Sequence, residues 1–334
     1  MSDLARKLAD YIRSSLNGVS NVEISSLRRM PEGWSRVSYM LDATWRTVDG
    51  DKETHSLVLR VDPPGSLVYS DRAVEFAVID ELHRLKYPVP KMWFLETSGE
   101  VLGAPFLVMD KLEGTASPDV LYAPDFAEER SRLGEQFIEL LARLHSIDID
   151  RVEVPFITRP CASTAADAAL THWQDTMLEQ QLEPQPFMTE AFHWLRERRP
   201  DAFRVSLLHG DYRSGNFMFE GDQVTGIVDW EMASLGDPLQ DLGWVFMELW
   251  KSDGRVCGFF QADEFLEKYE RNAGFTVDRD ALDWWIAFSN LKLAVIGLTG
   301  TRTRVLGLSD EINYSISHLY LPPLFAEVAR GMDL

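Results

Sequence analysis

Leu207-Leu208-His209-Gly210-Asp211-Tyr212-Arg213-Ser214-Gly215-Asn216, followed shortly by Ile227-Val228-Asp229-Trp230-Glu231, decides how this chain is read. It offers a carboxylate on a tight loop, a carboxamide a few residues on, and a second carboxylate at the end of a hairpin. Asn216-Phe217-Met218-Phe219 reads as a short strand, Glu220-Gly221-Asp222 as a turn, and Val224 to Val228 as the returning strand. Folding about Gly221 and Asp222 sets Asn216 opposite Ile227 and Val228, so Asn216 and Asp229 meet at the open end beside the loop of Asp211. Hard oxygen ligands that converge in this way suit Mg²⁺, which takes few protein ligands and completes its shell with water and substrate phosphates. Asp211, just upstream, can face an incoming hydroxyl. The competing reading is a surface hairpin with incidental polar residues. It is disfavoured because these groups sit at the hairpin base, where unpaired charge is costly.

Working outward, the segments on either side differ in character. Leu4 to Leu16 reads as an opening helix stopped by Asn17-Gly18. Val37, Tyr39, Leu41 and Ala43 share one strand face; Leu57, Leu59 and Val61 share one face of a later strand, across an Asp49–Lys52 turn. Ser70 or Asp71 can cap a helix to about Leu85, ending before Pro88 and Pro90. Lys91 to Leu95 and Phe106 to Met109 read as further strands. After Glu113-Gly114 the pattern turns helical: Ser131–His145, Thr164–Gln180, Thr189–Arg198, Leu239–Lys251, Ala262–Ala273, Ala281–Leu298 and Ser309–Tyr320, with Pro322-Pro323 expected to stop the last. Asp237-Pro238-Leu239-Gln240 is a strong helix start, and Asp241 falls in its first turn.

The quoted motifs resemble the aminoglycoside phosphotransferase and choline kinase group, relatives of the protein kinases. The nearest likeness is to the phosphotransferase-like domains fused to acyl-CoA dehydrogenases. It is carried by Leu-His-Gly-Asp-Tyr-Arg-Ser-Gly-Asn, by Asp229-Trp-Glu-Met-Ala-Ser-Leu-Gly-Asp-Pro238 and by Gly103-Ala-Pro-Phe-Leu-Val-Met109. The resemblance implies an α+β, bilobal protein-kinase-like fold. A small β-rich N-lobe over 1–108 would be joined by a hinge at 109–114 to a larger, mostly helical C-lobe over 115–334. It also implies that Asp211 is the catalytic base, that Asn216 and Asp229 hold Mg²⁺, and that Asp241 braces the loop. Ser35, in Gly33-Trp34-Ser35-Arg36, occupies the position of the family's phosphate-covering loop, which here has one glycine rather than several. Arg60 stands where the kinase pattern has lysine; a guanidinium can grip phosphate and carboxylate together, and Glu75 is its expected partner. The nucleotide base, from ATP or GTP, is expected against the Met109–Lys111 backbone. His209 is read as packing, His145 as a hydrogen-bonded core histidine, Trp284 and Trp285 as core, and Glu231 as a water-mediated aid to the metal.

The reaction implied is phosphorylation of a small-molecule hydroxyl. The acceptor is a hydroxyacyl thioester, an aminoglycoside-like sugar or another hydroxylated metabolite, with a functional link to an acyl-CoA dehydrogenase. Two readings compete: a nucleotide-binding scaffold without catalysis, and a metal-dependent phosphoesterase, for which seven histidines without a Gly-Asn-His cluster are a poor ligand supply. Composition bounds the partners. Lys plus Arg number 33 against 53 Asp plus Glu, a net charge of −20 over 334 residues, which is repelled by nucleic acid and anionic membranes. Cys161 and Cys257 are widely spaced and without zinc-type partners, as in a cytoplasmic protein with reduced thiols. The first residues carry acid early and lack the apolar run of a signal peptide. The apolar stretch Trp284 to Thr299, interrupted by Lys292, reads as a buried helix rather than a membrane span.

Overall fold

Amphipathic spacing explains the first helix of the computed structural model, which describes residues 2–30, 37–62, 71–154, 158–309, 314 and 316–332. In α1 (Asp3–Ser15), Ala5, Leu8, Ala9 and Ile12 fall on one face and are all buried, and the Ser2 side chain caps the helix by accepting from Ala5 N at 3.2 Å. The chain divides into two compact units, 1–112 and 113–334.

The first unit is a five-stranded sheet built from β1 (Ser20–Arg29), β2 (Val37–Arg46), β3 (Lys52–Val61), β4 (Met92–Glu96) and β5 (Phe106–Asp110), with α2 (Arg72–Arg84) between β3 and β4. Its order is β1-β2-β3-β5-β4, and every neighbouring pair is antiparallel. The alternation read from the sequence is real: Leu41, Ala43, Leu57 and Leu59 point into one core with Ile24, Trp45, Phe94, Phe106 and Val108, closed by the apolar face of α1. The cap of α2 is Asp71, which accepts from Ala73 N at 2.8 Å. The alternative cap Ser70, and the Gly33–Arg36 segment with Ser35, lie outside the described residues.

The second unit is mostly helical. Among the described residues its helices are α3 (Pro118–Leu121), α4 (Ala127–His145), α5 (Ala165–Gln180), α6 (Pro186–Glu197), α7 (Leu239–Val245), α8 (Ala262–Ala273), α9 (Arg279–Val305) and α10 (Leu321–Gly331). Two small antiparallel pairs lie between α6 and α7: β6 (Ser206–Leu208) with β9 (Ser234–Gly236), and the hairpin β7 (Phe217–Glu220) with β8 (Gln223–Ile227). The hairpin turns at Gly221-Asp222, as Glu220 faces Gln223, and Gln136 of α4 clamps it by donating to Asp222 O at 2.7 Å and accepting from Val224 N at 3.0 Å.

One helix assignment needs correction. The helix starting at Leu239 ends at Val245, not Lys251, and a separate 3-10 turn covers Glu248–Trp250. Of the helix expected over Ser309–Tyr320, residues 310–313 and 315 lie outside the description; Tyr314 and Ile316 are helical and Ser317–Tyr320 is a 3-10 turn. Pro322 and Pro323 open α10 rather than stop its predecessor. Proline lacks only an N–H that a first helical turn would leave unsatisfied, so the prolines suit a start as well as a stop.

The central support is α9, against which α5, α6, α7 and α10 all pack. It is long and apolar enough to cross a membrane by length and composition, yet 72% of its apolar window is buried inside the protein. Contact with α7 is closest at Gly243, where an added Cβ would lie 2.5 Å from the Trp285 backbone. Backbone cannot yield as a flexible side chain can, so Gly243→Ala should destabilise the protein by about 1–3 kcal/mol. Urea unfolding at neutral pH checks this, and an unchanged midpoint would show that the helices separate freely.

Candidate active site

Strand β6 delivers a fully buried segment, Ser206-Leu207-Leu208, to the loop that begins at His209. Three separate anchors shape that loop. The first is Asp241, fully buried in the first turn of α7, whose Oδ2 accepts from His209 N and Oδ1 from Gly210 N, both at 2.8 Å. The second is His209 itself, also fully buried: Nδ1 accepts from Asp211 N at 3.1 Å, so Nε2 carries the proton toward Val228 O at 3.0 Å. The third is Tyr212, whose hydroxyl donates to Phe137 O at 2.8 Å on α4. Gly210 is required between them, since its φ is +82° and a Cβ would sit 2.4 Å from Met232 O.

Burial lowers the His209 pKa, keeping the ring neutral and locked as a packing and tautomer-fixing group. At Asp241 burial acts to raise the pKa, but the hydrogen bond and charge of His145, with His209 and its N–H, outweigh it and bring the carboxyl below the usual 3.8. His145 reaches Asp241 Oδ2 through Nε2 at 3.2 Å and Tyr269 OH through Nδ1 at 2.7 Å, so it is a buried, doubly hydrogen-bonded histidine.

Held in this way, Asp211 is only 8% exposed and its carboxylate receives three donors: Trp244 Nε1 at 2.7 Å and Arg213 Nε at 3.1 Å on Oδ1, and Asn216 Nδ2 at 2.6 Å on Oδ2. Asn216 Nδ2 also meets Asp211 O at 2.9 Å. Two acceptors against the amide nitrogen fix the carboxamide orientation, and its oxygen is the atom directed elsewhere. Asn216 closes a 3-10 turn rather than starting β7, and its carbonyl accepts from Val228 N at 3.0 Å. That bond places Asp229 directly beyond the base of the hairpin. Asp229 has φ +70°, a left-handed conformation uncommon outside glycine. Glu231 follows in the turn Trp230–Met232.

The chemistry of this donor set fits a hard cation: one carboxamide oxygen and one carboxylate, short of an all-protein cage, are what Mg²⁺ takes when phosphates and water complete its shell. Among the described residues no group of three or more His, Cys, Asp or Glu could hold a metal alone.

The first unit holds the other predicted residues. Arg60 Nη1 donates to Glu75 Oε1 at 3.2 Å, with Glu75 1% exposed. Sequence reasoning missed Arg72, which donates to Glu75 Oε2 at 2.6 Å and also pairs with Asp62. Two guanidiniums thus share one buried carboxylate. Met109 lies in β5 opposite Val58, and the N–H of Lys111 is already donated to Ser56 O at 2.9 Å, so that amide is not available to a nucleotide base. Also missed were Trp244 and Lys292, whose Nζ donates to Gly210 O. The available signal was that Lys292 is the one charged residue between Trp284 and Thr299.

Comparison with known proteins gives the family and the fold. The phosphotransferase enzyme family matches residues 27–285, and the chain belongs to that family. The acyl-CoA dehydrogenase-type protein IBR3 of Arabidopsis thaliana is 30% identical over 90% of this chain and 38% of its own length. Human acyl-CoA dehydrogenase family member 11 is 29% identical over 96% of this chain and 43% of its own length. The chain therefore spans about two fifths of these relatives. Among solved structures, a Ralstonia eutropha protein assigned to the aminoglycoside phosphotransferases superposes with TM-score 0.76 at 21% identity, covering 98% of both chains. A choline/ethanolamine kinase family protein from Mesorhizobium loti gives 0.58 at 19%, covering 93% of this chain and 89% of its own. The fold is the kinase-like, mixed α/β fold expected, with a five-stranded N-terminal sheet and a helical C-terminal part.

Removing the Asp241 carboxylate strands two buried N–H groups and His145, so Asp241→Ala should cost about 3–5 kcal/mol. A group with a depressed folded pKa contributes stability above its unfolded value, 3.8, and loses it as pH falls through the lower folded value. The stability gap between wild type and variant, measured by urea unfolding, should therefore narrow in acid. A gap that does not change with pH would contradict the assigned charge.

Proposed function

We propose that this chain transfers the γ-phosphoryl group of ATP or GTP to a hydroxyl of a small molecule. One observation carries the reading: a buried carboxylate, Asp211, is aimed by three donors on a loop braced by Asp241, with Asn216 and Asp229 beside it. Phosphoryl transfer needs positioning and charge neutralisation more than covalent chemistry, and this site supplies positioning. Asp211 orients the acceptor hydroxyl and receives its proton as the oxygen takes up the phosphoryl group. Asn216 Oδ1 and the Asp229 carboxylate would hold Mg²⁺, which when bound would supply charge neutralisation for the phosphate oxygens. Within the first unit, Arg60 is held by Glu75 and offers a guanidinium whose planar fork suits nucleotide phosphate oxygens.

For the acceptor, the naming of the relatives as acyl-CoA dehydrogenases supports a hydroxyacyl thioester over an aminoglycoside-like sugar. The net charge is no argument for a cationic acceptor, because the cations Arg213 and Lys292 both lie in the electrostatic surroundings of Asp211. Nucleotide consumption with Mg²⁺, measured across hydroxyacyl thioesters and aminoglycosides, tests this choice. Turnover with neither set, alongside normal nucleotide binding, would favour the non-catalytic scaffold instead.

Asp211→Asn should lower kcat by about 10²–10⁴-fold while nucleotide affinity holds. Asp229→Ala should instead weaken Mg²⁺-dependent nucleotide binding. Titration calorimetry beside steady-state kinetics separates the two effects; full activity in Asp211→Asn would remove the assignment.

A further inference from the structure

Lys292 is a lysine in the middle of α9, 2% exposed, among apolar neighbours. Burying an ammonium is costly unless it is satisfied, so its contacts should explain its presence. Its Nζ donates to Gly210 O, the carbonyl directly before Asp211. It also lies 4.4 Å from the centroid of the Trp244 ring on α7 and 5.3 Å from that of Trp173 on α5. Trp244 is the residue whose Nε1 donates to Asp211 Oδ1 at 2.7 Å.

We propose that Lys292 and Trp244 form a positioning relay for Asp211, in which the ammonium on the indole face and on the Gly210 carbonyl fixes both the donor to the carboxylate and the backbone that carries it. This rests on the phosphotransferase reading of Asp211. The physical basis is cation–π attraction in a water-free setting, where a charge on the ring face draws electron density from the indole and strengthens its N–H as a donor. The same ammonium holds the carbonyl end of a loop whose N–H end is held by Asp241, so the turn at Gly210 is gripped from both sides. Neither Lys292 nor Trp244 reaches the phosphoryl group in this scheme; both act through Asp211.

The relay has a built-in titration. Burial lowers the Lys292 pKa to about 8, against the opposing attraction of Asp211 on the loop and Asp241 on α7. From α5 the facing titratable group is His172, lowered by burial and by the Lys292 charge, with Asp175 acting to raise it. Below about pH 8 the ammonium is charged and the relay is set; above it the charge is lost.

The test uses the full chain labelled with ¹⁵N on tryptophan. The Trp244 indole resonance is assigned by its loss in Trp244→Phe. In the wild type it should move with pH about a midpoint near 8. In Lys292→Met it should be displaced and flat with pH; in Lys292→Arg it should be flat at the wild-type neutral-pH position. Hydrolysis of MgATP with water as acceptor gives the second readout. Lys292→Met should lower kcat by about 10–100-fold with the KM for MgATP changed less than about twofold, and Lys292→Arg should restore most of the loss. A Trp244 resonance that ignores both pH and Lys292→Met overturns the relay, and so does wild-type kcat in Lys292→Met. The wild-type titration needs no variant to fold. A wild type that neither binds nor hydrolyses MgATP while its Trp244 resonance titrates as expected supports the coupling and overturns the phosphotransferase reading beneath it.

Discussion

The carboxylate of Asp241 is sealed from water, and its partners are the backbone N–H groups of His209 and Gly210 and the ring of His145. An ionised group in such a place is tolerated only if its lone pairs are matched, and here the matching also sets the path of the loop. The direction of Asp211, the closeness of Asn216 to it, and the entry of β7 all follow from that turn. Helix α7 can deliver Asp241 there because Asp237 secures its first turn, accepting from Leu239 N at 2.9 Å and from Trp285 Nε1 at 3.1 Å. The arrangement is costly: burial raises the Asp237 pKa to about 6, so this carboxyl opposes folding as pH rises from 3.8 through that value. Its ties to α7 and α9 show what the cost secures, which is the seating of one helix on the other.

Electrostatics at the site run against the overall balance of the chain. A net charge of −20 describes the surface and its solubility. Two cations nevertheless act on Asp211. Arg213 pairs directly with its carboxylate and lies over the Trp250 ring, while Lys292 acts through Trp244. Burial acts to lower the Arg213 pKa, and the charges of Asp211 and Asp229 more than reverse it. A local field of this kind is set by a few fixed groups at short range, so a sum over the whole chain has no bearing on it.

Much of the layout was legible in one dimension. Alternating apolar residues in 37–61 and the spacing of Leu133, Phe137, Leu141 and Leu144 are direct consequences of strand and helix period; Leu41, Ala43, Leu57, Leu59 and the four helix residues are buried, while Val37, Tyr39 and Val61, at the strand ends, are half-buried. The hairpin at Gly221-Asp222 was legible for the same local reason. Pairing of Arg60 with Glu75 was inferred through a family pattern, and the structure shows it, but Arg72 was invisible because nothing in sequence announces a third partner at a buried carboxylate. Pro322-Pro323 misled because proline carries no mark of whether a helix is ending before it or starting at it.

By itself the sequence determined that Asp211, Asn216 and Asp229 lie on a short loop and at the base of a hairpin, since that follows from contacts between neighbours in the chain. Only the tertiary structure decided what holds Asp211 in place. Trp244 and Lys292 lie 33 and 81 positions beyond it, on helices whose packing against one another brings the indole N–H to its carboxylate and the ammonium to the carbonyl before it. That convergence depends on how α7 seats against α9 at Gly243, a fit between surfaces distant in the chain that no local periodicity encodes.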